Sequence, residues 1–96
     1  MTPSFSVRTT KRFDRLLKSL AKHHPEIPQR YAETLKILQA DPHNRSRAHK
    51  IRKLESMPLG EGQYRLRLGR WRFRYDIVGQ EVILHYCGLR REDTYD

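Results

Sequence analysis

The chain has 96 residues, 36% of them hydrophobic, which suffices for one small core and makes residues 1–96 a single domain. Twenty Lys and Arg against eleven Asp and Glu give a net charge of +9 and a pI near 10.2, a balance that favours nucleic acid or an acidic protein as partner. A single cysteine, Cys87, excludes an internal disulfide, and no apolar run resembles a signal peptide or a membrane span, so a cytoplasmic protein without a membrane role is expected.

Residues 4 to 8 alternate in polarity and predict a short first strand with Phe5 and Val7 on one side. Thr9 or Thr10 offers a hydroxyl to cap a helix. Phe13, Leu16, Leu17, Leu20 and Ala21 then recur at helical spacing, which predicts an amphipathic helix over residues 10–23 or so, stopped by Pro25. A second helix begins near Glu26 with Pro28 in its first turn, carries Ile27, Tyr31, Leu35 and Leu38 on one stripe, and ends before Asp41-Pro42. Residues 41 to 50 are polar, basic and rich in turn formers, hence a loop. Residues 50–54 can begin a strand, and a stretch containing Pro58, Gly60 and Gly62 follows.

The segment Tyr64–Tyr75 is the most informative part of the chain. Arginine alternates with apolar residues on both sides of Gly69-Arg70, the pattern of a hairpin with a two-residue loop of the II′ or I′ type. The implied pairs are Leu68 with Trp71, Arg67 with Arg72, Leu66 with Phe73, Arg65 with Arg74, and Tyr64 with Tyr75. All four strand arginines then share one face, and the apolar residues share the other. A second such step, Gly79-Gln80, joins residues 75–78 to residues 81–87. Continued without interruption, this register sets Phe73 against Tyr86, Arg74 against His85 and Arg72 against Cys87. The expected architecture is α+β, order βααβββ, with a helical hairpin on one face of a mainly antiparallel sheet and the arginine face left open.

Directly opposed like charges destabilise a sheet by about 0.5 to 1 kcal/mol per pair at roughly 6 Å in a water-like dielectric. Folding alone does not select such a face, whereas the planar fork of arginine matches phosphate oxygens. A solvated sheet face is the alternative reading of the same residues. No phosphate-cradling glycine loop and no Gly-x-Ser-x-Gly is present, the histidines lack ligand spacing, and Cys87 lacks an evident histidine and acid partner. No metal or other cofactor is expected. The chemistry left is RNA cleavage by the ribose 2′-hydroxyl, with arginines stabilising charge and a proton-transfer group from among His85 and the tail. A half-buried strand residue is the competing reading of His85.

Lys53-Leu54 with Met57-Pro58, the run Tyr64–Leu68, the run Trp71–Tyr75 and the tail Arg90-Arg91-Glu92-Asp93-Thr94-Tyr95 together resemble the RelE/ParE superfamily of toxins from toxin–antitoxin pairs, closer to the RelE branch. The resemblance implies a microbial-ribonuclease-like fold, cleavage of mRNA in the ribosomal A site, and a cognate antitoxin partner. By position it implies phosphate-binding roles for Arg65, Arg67 and Arg72, and proton transfer by Arg90 or Arg91 with Tyr95. Leu89 departs from the pattern, standing where many relatives carry histidine or lysine. Arg74, Lys53, Arg70 and His85 are further candidates for contact with RNA. Two other readings stay open: a ParE-like inhibitor of DNA gyrase, and an RNA-binding relative without catalysis, whose signature is salt-dependent binding alone.

Overall fold

The computed structural model describes residues 4–89. Strand β1 (Ser6–Thr9) leads into helix α1 (Lys11–Ala21), whose first turn is closed by Thr10: its hydroxyl accepts from the Phe13 N–H at 3.1 Å. Helix α2 (Ile27–Ala40) carries Pro28 in its first turn, where a missing N–H costs nothing, and ends at Asp41. Four strands follow: β2 (Ile51–Lys53), β3 (Tyr64–Leu68), β4 (Trp71–Val78) and β5 (Glu81–Leu89). The order is thus α+β as expected, with one strand more than βααβββ because the short segment at 51–53 pairs fully.

The sheet runs β1-β5-β4-β3-β2, antiparallel throughout except that β1 lies parallel to β5. Gly69 and Gly79 have φ of 60° and 61°, and neither Arg70 nor Gln80 has positive φ, the signature of II′ turns that match the strand twist. The register of β3 on β4 is the expected one at all five pairs, from Tyr64–Tyr75 to Leu68–Trp71. Phe13 of α1 and Ile27 and Leu38 of α2 pack on Leu66, Trp71, Phe73, Tyr75, Val82, Leu84 and Cys87. The apolar side of the arginine hairpin is therefore the floor of the core. Tyr75 is fully buried, and its hydroxyl donates to the Pro42 carbonyl at 2.7 Å, which ties the 41–50 loop to the sheet.

The register of β4 on β5 departs from expectation. It holds from Val78–Glu81 to Tyr75–Leu84, then shifts, so that Arg74 pairs with Tyr86, Phe73 with Cys87, Arg72 with Gly88 and Trp71 with Leu89. His85 is the extra residue. The apolar positions explain the bulge: Val82 and Leu84 keep one phase, Cys87 and Leu89 the other, and only an inserted residue puts all four on the core side. Tyr86, expected against Phe73, is thereby turned to the arginine side.

Candidate nucleic-acid interface

Alternation along β3 and β4 places Arg65, Arg67, Arg72 and Arg74 on the face away from the helices, with Arg67 directly opposite Arg72 and Arg65 opposite Arg74. Strand β2 adds Arg52, the partner of Arg65, and just before it the Lys50 carbonyl accepts from the Arg67 N–H at 3.0 Å. The basic surface therefore crosses three strands. Arg52 and Lys50 were legible only once β2 had a register.

This face is less open than the sequence implies. Arg65 is only 6% exposed, and Arg67, Arg72 and Arg74 are half-buried. One cause is the 57–63 segment, which folds back onto the end of the face. Arg74 donates from Nε and from one terminal nitrogen to the Gly62 carbonyl at 3.3 and 3.2 Å, so its guanidinium serves the loop. Asp76, 1% exposed, holds the same loop with its carboxylate: Oδ2 accepts from the Gly60 N–H at 2.7 Å and Oδ1 from the Gln63 N–H at 2.8 Å. His85 Nε2 lies 2.8 Å from Asp76 Oδ2. That places His85 on the arginine side of the sheet, as expected, though as the bulged residue and not as the partner of Arg74.

Two other candidates lie elsewhere. Lys53 pairs with Tyr64, the opposite parity from Arg52, and its ammonium stands 5.7 Å from the Tyr64 ring centroid on the core side of the sheet. Arg70 sits in the β3–β4 turn, where it meets Glu26 at the start of α2 at 3.3 Å. Neither joins the guanidinium cluster. Arg90, Arg91 and Tyr95 lie outside the described residues.

Arg67 shows most directly what the face can do. Its Nε is buried and has no hydrogen-bond partner among the described residues. Arginine cannot discard its proton, so a buried N–H of this kind favours an oxyanion that both accepts the bond and offsets the opposed charges. Among the described residues no group of three His, Cys, Asp or Glu comes together in a way that could hold a metal ion. No helix among them is long and apolar enough to cross a membrane.

Neither a protein-family model nor a curated protein sequence matches the chain. Among solved structures it is similar to a chain of the crystal structure of the archaeal RelE-RelB complex from Pyrococcus horikoshii OT3. The two are 25% identical, the match covers 93% of this chain and 98% of that one, and the TM-score is 0.66. The likeness first carried by the arginine hairpin and its flanking motifs thus extends to the backbone over nearly the whole length, and the chain has the fold of a RelE-like toxin.

Proposed function

We propose that this protein is the toxin of a type II toxin–antitoxin pair and acts as a metal-independent endoribonuclease that cuts mRNA in the ribosomal A site. The observation that carries this reading is the opposition of Arg67 and Arg72 on one sheet face, with Arg65 in the next row. In the proposed reaction the 2′-hydroxyl of one nucleotide attacks its own 3′-phosphate and the bond to the next 5′-oxygen breaks. Arg65, Arg67 and Arg72 hold the phosphate and stabilise the charge that grows on its oxygens. Product ends are a 2′,3′-cyclic phosphate and a 5′-hydroxyl.

The proposed partner is a cognate antitoxin with an acidic or amphipathic segment that folds over the basic surface. Support comes from the similar chain's having been solved in a RelE-RelB complex, and from the net charge of +9. The work is done in the cytoplasm, where translating ribosomes are.

Primer extension on a translated mRNA, after induction of the wild type and of an Arg67→Ala, Arg72→Ala double variant, tests the reading. Ribosome-phased cuts that disappear in the double variant are expected. Growth arrest with intact mRNA and damaged DNA would move the protein to the gyrase-inhibitor class. Arrest unchanged by the double variant would remove the phosphate clamp.

A further inference from the structure

The bulge at His85 gives the arginine face a hydroxyl. Tyr86 pairs with Arg74 and Gly88 with Arg72, so both β5 positions point to the arginine side. A Cβ on Gly88 would lie 2.9 Å from Tyr86 Cζ, 3.2 Å from its Cε2, and closer still to its hydroxyl oxygen. The phenol therefore leans along the strand and fills the space that a side chain at 88 would take. Cross-strand neighbours of an antiparallel pair stand about 5 Å apart at Cβ, so this places the Tyr86 hydroxyl beside Arg72, in the row that continues to Arg67. From α1 the Arg12 guanidinium sits over the Tyr86 ring, 5.8 Å from its centroid, and restricts the ring from that side.

Strand cleavage needs a proton on the departing oxygen, and among the described residues the arginines of this face hold theirs too tightly to supply it. His85 is engaged with Asp76 nearer the far end of the face. Resting on the ribonuclease reading, we infer that Tyr86 is the general acid for the leaving group. As the 2′-oxygen forms its bond to phosphorus and loses its proton to water, the bond from phosphorus to the 5′-oxygen breaks. The electron pair leaves with that oxygen, which takes the Tyr86 phenolic proton. The phenolate is left on the Arg72 side of the strand, with the Arg12 guanidinium over its ring, until water returns a proton.

The test uses ribosomes programmed with a synthetic mRNA whose A-site scissile linkage carries either the natural 5′-oxygen or a 5′-bridging sulfur. A thiolate leaves without being protonated. Tyr86→Phe is expected to slow cleavage of the oxygen substrate about 100-fold or more, the usual scale of a lost general acid, and to leave the sulfur substrate within about 3-fold of wild type. Gly88→Ala keeps the hydroxyl but displaces it, and is expected to show the same substrate dependence. Equal slowing of both substrates by Tyr86→Phe, or no slowing, overturns the assignment while wild-type cutting preserves the ribonuclease reading. A wild type that cuts neither substrate overturns both.

Discussion

His85 Nε2 stands 2.8 Å from Asp76 Oδ2, a contact formed by the residue that β5 inserts as its bulge. The carboxylate it meets already accepts the backbone N–H groups of Gly60 and Gln63. The contact with His85 is not an aligned hydrogen bond, whereas both loop bonds are. Asp76 therefore acts first on the loop, and His85 is its lesser partner. Asp76 is thus a structural clasp for the 57–63 segment.

Replacing Asp76 with Asn is expected to destabilise the fold by about 2 to 3 kcal/mol, because buried bonds to a charged acceptor are weakened and an amide N–H is left facing donors. Replacing His85 with Gln should cost less than about 1 kcal/mol, because its contact with Asp76 is not an aligned hydrogen bond and less than one full bond is lost. Urea unfolding of the two single variants checks the order. A larger loss at His85 would reverse the assignment of roles.

Gly62 has φ of +88°, and a Cβ there would fall 2.9 Å from Arg74 Cβ and 3.3 Å from backbone atoms of the same strand. Two costs then combine in Gly62→Ala: a left-handed conformation and a steric clash with a packed strand. A loss of about 2 kcal/mol or more is expected by thermal or urea unfolding. Gly60→Ala, with φ of +98° but open space around it, should lose less.

Cys87 is 1% exposed, and burial pushes its thiol up from 9.0 to about 12. The folded value lies above the unfolded one, so the neutral thiol is favoured in the fold. Its contribution is fully present below pH 9 and is lost as pH rises from there toward 12. Thiolate absorbance near 240 nm should thus appear around pH 9 in the urea-unfolded chain and only near pH 12 in the native one. Rapid reaction of the native thiol with a disulfide reagent at pH 8 would contradict this burial.

Arg67 and Arg72 are direct cross-strand partners of like charge. Arg67→Gln is expected to leave stability unchanged or to raise it by up to about 1 kcal/mol, since repulsion is relieved. The same variant should lose at least about tenfold in A-site cleavage, the effect of one lost charge-assisted contact of about 1.4 kcal/mol or more. Paired measurements of unfolding and of cleavage check it. Joint loss of both would make Arg67 a structural residue.

Much of this protein was legible from residue order. Thr10, Pro28 and Asp41-Pro42 mark the helix ends through local hydrogen bonding and ring geometry, which act within a few residues. Gly69-Arg70 between alternating runs determined the hairpin, all five of its pairs and the sharing of one face by four arginines, because strand periodicity is a property of the chain alone. What the sequence left undetermined depended on contacts between distant segments. The core's demand for Leu84 and Cys87 together inserted His85 as a bulge, and a one-residue slip turns every later side chain to the other face. That slip took Tyr86 out of the core and set it among the arginines. Only packing against the helices decided it, since no local pattern weighs the burial of two apolar residues against the loss of one ladder pair.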